Sequence, residues 1–299
     1  MKPRIGMVGI GLMGHGIARN IVKHGYSLVV LDHPGNQPLD ELLAGGARVL
    51  GTAAEVARAS DVVILCVTGT PEVEAVLTAE KGLLQGLRAG SIVVDCSTAV
   101  PASSQRMAEL VAQAGGRFID APMTRTAKDA HEGRLNLLVG ADADLFEEVK
   151  PVLDSFAENV RLVGDTGAGH SMKLLHNFIS LGFMALLAEA AACAEHAGID
   201  AEIFLDVLAQ GGGNSVALTR IRPAILSGDY SATPFYMSNA LKDLGYYVTM
   251  ANDNDAADRI AAAVKGTFEK AVEDGGARCQ LLELSRLLAA NHGRGVMAA

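Results

Sequence analysis

Four polar residues recur at helical spacing near the middle of the chain. Lys173, His176, Asn177 and Ser180 stand at i, i+3, i+4 and i+7, on one face of a helix. Met172, Leu174, Leu175, Phe178, Ile179 and Leu181 around them are apolar, and Met184, Leu187 and Ala191 continue the same face without polarity. A solvated face would stay polar along its length. Two polar turns that give way to apolar ones describe the wall of a cavity. A lysine there can protonate a carbonyl oxygen as hydride reaches the carbon, and take the proton back in reverse.

The N-terminal residues give a reason to expect hydride. An apolar stretch, 5–10, runs into Gly9-Ile10-Gly11-Leu12-Met13-Gly14, then a helix-like segment, then an apolar run that closes on Asp32. Strand, glycine turn, helix, strand and acid is the order a dinucleotide needs. Glycines let backbone N–H groups approach the pyrophosphate, and the helix N-terminus offers it partial positive charge. Gly9, Gly11, Leu12, Met13 and Gly14 would hold the phosphates, with Val67 and Thr98 beside the same cofactor. Asp32 would accept hydrogen bonds from the ribose hydroxyls of NAD and repel the 2′-phosphate of NADP. No arginine follows in His33-Pro34-Gly35-Asn36, so NAD is expected over NADP, and a protonated His33 is the group there that could meet a phosphate.

Further candidates follow strand ends, where open sheets bind ligands. Ser97 and Thr98 follow SIVVDC, and Thr124, Arg125 and Thr126 follow a shorter strand. The planar fork of Arg125 suits a carboxylate, phosphate or sulfonate; the alternative is an ordinary surface arginine. Gly167 and Gly169 mark either a close backbone approach or a simple loop. Lys242-Asp243 has no reading by itself.

These residues need a scaffold. Strand patterns at 4–10, 27–32, 61–67 and 91–96, and shorter ones at 117–120, 136–140 and 161–164, alternate with helical patterns at 15–24, 52–58, 71–77 and 101–114. The continuous apolar runs VVILCV and SIVVDC suit strands covered on both faces. From 171 onward only helical patterns remain, at 171–196, 201–209, 215–226, 238–251, 256–274 and 279–290. The expected fold is α/β: a doubly wound Rossmann sheet over 1–164 and an all-helical second domain over 165–299, joined by a long central helix.

The bulk composition narrows the function. At 299 residues, 49% hydrophobic and 20% charged, the chain can bury two cores. A net charge of −9 argues against nucleic acid. Cys66, Cys96, Cys193 and Cys279 share no metal-ligand spacing, so reduced thiols, no metal and a cytoplasmic location are expected. Lys2 and Arg4 precede an apolar run, but three glycines interrupt it, which argues against a signal peptide. The longest uncharged apolar stretch near the centre, 174–188, holds His176 and Asn177 and falls short of the roughly 20 residues of a membrane span. The tail NHGRGVMAA has no periodicity and is expected to be loose.

Taken in order, the motifs resemble the β-hydroxyacid dehydrogenase family, which includes 3-hydroxyisobutyrate dehydrogenase and tartronate semialdehyde reductase. The likeness rests on GIGLMGHGIARNI, on Ser97-Thr98 with Pro101, on Asp120-Ala121-Pro122, on GAGHSMKLLHN and on Lys242-Asp243. It implies a Rossmann domain, a helical second domain, and homodimers or homotetramers. It further implies a catalytic Lys173, an Asn177 that orients a small anionic substrate, and a Lys242 near the nicotinamide. Where most members have Val-Ser-Gly-Gly, this chain has Met123-Thr124-Arg125-Thr126. That stretch is similar to 3-sulfolactaldehyde reductase, where the matching arginine contacts the sulfonate and Ser180 also has a counterpart. His176 replaces the family's first asparagine, Thr68 a usual proline and Gln280 a usual aspartate. The expected activity is NAD-dependent interconversion of a short anionic β-hydroxy acid, or a sulfonate analogue, with its aldehyde. The rivals are imine reduction and a catalytically silent NAD-binding interaction module.

Overall fold

The computed structural model describes residues 2–291. Nine strands form one sheet: β1 (Ile5–Val8), β2 (Leu28–Leu31), β3 (Arg48–Leu50), β4 (Val62–Leu65), β5 (Ile92–Asp95), β6 (Arg117–Asp120), β7 (Met123–Thr124), β8 (Leu135–Gly140) and β9 (Ala157–Gly164). The first six are parallel, in the order β3-β2-β1-β4-β5-β6. The chain reverses direction across the sheet between β1 and β4, and ligands of open α/β sheets bind beyond the strand ends at such a point. Every residue of β1, β4 and β5 is buried, including Asp95, because helices cover both faces. Beyond β6 the sheet departs from the purely parallel pattern. β8 runs antiparallel to β6 through Asp120 and Gly140, β7 is antiparallel to β8, and β9 is parallel to β8.

The helices of this part are α1 (Leu12–Lys23), α2 (Asp40–Ala44), α3 (Ala53–Ala59), α4 (Thr70–Thr78), α5 (Pro101–Gln113), α6 (Ala127–Glu132) and α7 (Ala143–Leu153). The strand and helix patterns named in the sequence did not include α2, β3, β7, α6 or α7. β3 is three residues long with two of them exposed, so it has no apolar run to announce it. α6 carries a local signal, the capping box in which Thr126 and Asp129 satisfy each other's backbone N–H.

The long helix α8 (Ala168–His196) has 29 residues, about 44 Å at 1.5 Å per residue. It is followed by α9 (Ala201–Ala209), α10 (Val216–Ser227), α11 (Met237–Asp253), α12 (Arg259–Glu273) and α13 (Leu284–Asn291). Chain packing divides the protein within α8, into Met1–Lys173 and Leu174–Ala299. By length and apolarity α8 matches a membrane span, yet Leu181, Met184, Leu187 and Ala188 are buried in the second unit's core with Leu205, Ile221, Leu244 and Phe268. The helix expected at 279–290 is shortened from its start. Cys279 accepts the Met237 amide at 3.0 Å and Gln280 bridges Tyr236 as extended chain, so α13 begins only at Leu284. Of the tail expected to be loose, Asn291 closes α13 and 292–299 lie outside the described residues.

Candidate active site

The three glycines of the first turn do three different jobs. Gly9 has φ +95°, and a Cβ there would sit 2.2 Å from the Cys66 carbonyl oxygen. A Cβ on Gly14 would sit 1.9 Å from the Gly9 carbonyl oxygen, so this glycine lets α1 pack on the turn. Around Gly11 nothing lies within 4 Å of an added Cβ: that side of the turn is open. Gly11 caps α1 without a side-chain hydrogen bond, and the first turn holds no acid. The first amide to find a helical partner is that of His15, at 2.8 Å from Gly11 O. The amides before it are the usual orphans of a helix start, and here they face an anion-ready opening. The residues present therefore fit a dinucleotide pyrophosphate. Asp32 follows β2 with its side chain exposed. Asn36 steadies the loop behind it by donating to Leu31 O at 2.9 Å.

Ser97 joins two of the strand-end loops. Its hydroxyl accepts the Val67 amide at 3.0 Å, and its own amide donates to Asp95 Oδ1 at 2.9 Å. Burial pushes the Asp95 carboxyl up from the usual carboxylate range. Thr98, half-buried, follows Ser97. The other substrate-side candidates are tied into the sheet edge. Thr124 Oγ1 accepts from Asn136 Nδ2 at 3.1 Å across β7 and β8. The Thr126 hydroxyl donates to Asp129 Oδ2 at 2.6 Å within the cap of α6, which holds the Asp129 carboxyl below its ordinary range. Arg125 pairs through Nη1 with Glu158 of β9 and with the carbonyl of Arg134. Its backbone has φ +81°, a conformation a side chain normally avoids. That explains why a glycine-rich stretch can occupy these positions in the family it resembles.

Asp120 was visible in the sequence only as part of a motif. In the structure it caps α8: Oδ1 accepts the Gly167 amide and Oδ2 the His170 amide, both at 2.7 Å. The helix starts on Gly167-Ala168-Gly169, none of which has a side chain that could cap it. Gly167 has φ +96°, and a Cβ on Gly169 would lie 2.4 Å from Leu138 O and 2.8 Å from Asp120 Oδ2. The close approach that Gly169 permits is thus to β6 and β8. Lys173 follows within the next turn, half-buried.

Further along the same face, Asn177 is buried and donates to Asp243 Oδ2 of α11 at 2.6 Å. Asp243 also pairs with Lys242 Nζ at 2.8 Å, and that ammonium lies 4.9 Å from the centre of the Tyr246 ring. A carboxylate only accepts, so the amide nitrogen of Asn177 faces Asp243. Its oxygen then faces His176 Nδ1 at 3.0 Å, and Nδ1 must carry the proton. The uninterpreted Lys242-Asp243 pair is therefore the support of Asn177. Ser180 is half-buried one turn beyond His176, which is exposed.

Both parts of the chain match known family models. Residues 4–164 match the family model described as the NAD binding domain of 6-phosphogluconate dehydrogenase. Residues 167–288 match the NAD-binding domain of NADP-dependent 3-hydroxyisobutyrate dehydrogenase. The chain is 32% identical over 267 residues to 2-(hydroxymethyl)glutarate dehydrogenase of Eubacterium barkeri, covering 89% of this chain and 88% of that one. It is 29% identical to the human cytokine-like nuclear factor N-PAC, of whose length it spans 48% with 90% of its own. A solved structure of 3-hydroxyisobutyrate dehydrogenase from Salmonella typhimurium superposes with TM-score 0.83 at 30% identity, over 96% of this chain and 100% of that one. An imine reductase from Myxococcus stipitatus shares the fold at TM-score 0.61 and 23% identity, over 96% and 100% of the two chains.

Fold and site together define an NAD(P)-dependent oxidoreductase acting on CH–OH groups. More narrowly, the chain belongs to the β-hydroxyacid dehydrogenase family, among proteins like 3-hydroxyisobutyrate dehydrogenase.

Proposed function

We propose that this protein is an NAD-preferring dehydrogenase of short anionic β-hydroxy acids, or of their sulfonate analogues, with Lys173 as general acid and base. The observation that carries the reading is the polar face of α8. It presents Lys173 one helical turn from an Asn177 whose amide is fixed by the buried Asp243 carboxylate. The nicotinamide, when bound, supplies or takes the hydride. Lys173 gives a proton to the carbonyl oxygen of the aldehyde as it is reduced, and takes the hydroxyl proton when the acid is oxidised. Asn177, His176 and Ser180 orient the substrate. Ser97, Thr98, Thr124, Thr126 and Arg125 serve its anionic end; Arg125 turns to the substrate in exchange for its pairing with Glu158. Gly9, Gly11, Leu12, Met13 and Gly14 hold the pyrophosphate, with Val67, Thr98 and Lys242 beside the cofactor.

The exposed Asp32 supports NAD over NADP, since it can accept ribose hydroxyls and repels a 2′-phosphate. A cytoplasmic homodimer or homotetramer that takes a small anion, and neither nucleic acid nor membrane, fits the charge and the apolar residues exposed on α8, among them Ile179, Phe183 and Leu186. The test is NADH absorbance over a panel of short hydroxy carboxylates and hydroxy sulfonates, with cyclic imines and NADPH run beside them. Turnover of a hydroxy acid with NAD, cut about 10²–10⁴-fold in Lys173→Ala, is expected. A Lys173→Ala variant that turns over like the wild type defeats the mechanism, and NADP preferred over NAD defeats the role of Asp32.

A further inference from the structure

Beneath the first turn of α8 lies a buried polar cluster whose histidine has no part in the mechanism so far. The side chains of Asp95, Asp120 and His170 are 0% exposed, and Ser97 and Ser104 are 3% and 2% exposed. Asp95 and Asp120 end the adjacent strands β5 and β6 in register. The imidazole of His170 sits by both, with Nε2 3.9 Å from Asp95 Oδ2 and Nδ1 3.7 Å from Asp120 Oδ2, beyond hydrogen-bond length. Its hydrogen bonds go elsewhere. Nδ1 lies 2.7 Å from Ser104 Oγ on α5, and Nε2 lies 3.2 Å from the carbonyl oxygen of Ser97.

From this geometry we infer that His170 is a positioning residue for Lys173; the inference rests on the lysine's proposed role. A carbonyl only accepts, so Nε2 carries a proton and donates to Ser97 O. Nδ1 and the Ser104 hydroxyl share the second hydrogen bond, at 2.7 Å. One ring thus ties α8 to α5 and to the loop that holds Ser97 and Thr98. Lys173 is three residues further on the same helix, on the same side. The Asp120 cap fixes where the helix begins. The ring, off the axis and bonded at both nitrogens, fixes the helix's rotation about that axis and with it the direction of the lysine. A buried aliphatic residue would fill the volume but leave Ser97 O and Ser104 Oγ without this partner. A buried ring bonded at both nitrogens holds a single geometry, and a misplacement of about 1 Å costs catalysis about 10²-fold.

The test compares His170→Phe, which keeps a ring without nitrogens, with His170→Gln, whose amide can donate to Ser97 O and accept from Ser104. Each is made in the wild-type and the Lys173→Ala backgrounds. Turnover, KM, NADH affinity by fluorescence titration and melting temperature are measured for all. His170→Phe is expected to lower kcat about 10–100-fold with NADH affinity held within about twofold, and His170→Gln to recover most of that loss. In Lys173→Ala the same substitution is expected to cost nothing further, because the group it aims is gone. An equal loss in both backgrounds overturns the inference, as does a loss matched by weakened NADH binding. A Lys173→Ala variant as active as the wild type overturns the lysine's role as well, which separates the two failures. Should His170→Phe not fold, Ser104→Ala removes only the Nδ1 partner. A smaller fall in kcat, absent in Lys173→Ala, then supports the inference, and an unchanged kcat overturns it.

Discussion

Gly11→Ala isolates cofactor binding from folding. A methyl group at this position meets no atom within 4 Å, so the free protein is expected to melt at the wild-type temperature. The same methyl projects into the space where backbone amides at the start of α1 would meet the pyrophosphate. A hydrogen bond to a charged group is worth about 1.5–3 kcal/mol, so loss of one such contact weakens NADH binding about 10–150-fold. Gly9→Ala is the control of opposite sign. At φ +95°, with the added carbon 2.2 Å from the Cys66 backbone carbonyl just after β4, it strains the chain by about 1–3 kcal/mol before steric repulsion is added. Each kcal/mol lowers the melting temperature of a domain this size by about 2–4 °C. Thermal melts without cofactor, followed by NADH fluorescence titrations, give both numbers. Wild-type NADH affinity in Gly11→Ala, or a large loss of stability in that variant, would refute the assignment of the open side of the turn to the cofactor.

Asp243→Ala removes the acceptor of Asn177 and the partner of Lys242; it is expected to cost about 1.5–3 kcal/mol in urea unfolding and to lower kcat with it. Arg4 and Arg88 hold the Asp61 carboxyl well below its usual range, so its contribution to stability is present above pH of about 4 and fades as the pH falls further. The stability difference between wild type and Asp61→Asn is therefore expected to shrink between pH 7 and pH 2.5. It stays small throughout, because these side chains are more than 40% exposed. Burial pushes the Cys66 thiol up to about 12, which leaves about one part in 10⁴ as thiolate at pH 8. Exposed Cys193 should react with a disulfide reagent at that pH long before Cys66 does.

The parts legible in the sequence were those where one local cause decides the outcome. In the GxGxxG turn Gly9 and Gly14 each meet a distinct backbone demand while Gly11 leaves one side open, and the long apolar runs could only be buried strands or helices. The polar face of α8 followed from helical spacing alone. What escaped depends on distant partners. Asp120 reads as a strand-end acid until its oxygens take the Gly167 and His170 amides at the start of α8. Asp243 is opaque until α11 lies against Asn177. Thr126, a substrate-side candidate, also forms a capping box with Asp129 three residues on, a second role that the pattern T-x-x-D could have announced. The pairing of Arg125 with Glu158 joins residues 33 apart that no spacing rule connects.

The two compact units part between Lys173 and Leu174, in the middle of an unbroken helix. The separation of Lys173 from Asn177 is therefore a matter of pitch, with no loop in between to absorb error. One residue inserted or deleted there would swing the asparagine about 100° around the axis relative to Lys173. A designer who grafts a new helical half onto this nucleotide-binding one should accordingly keep this count of four and make the join beyond residue 177.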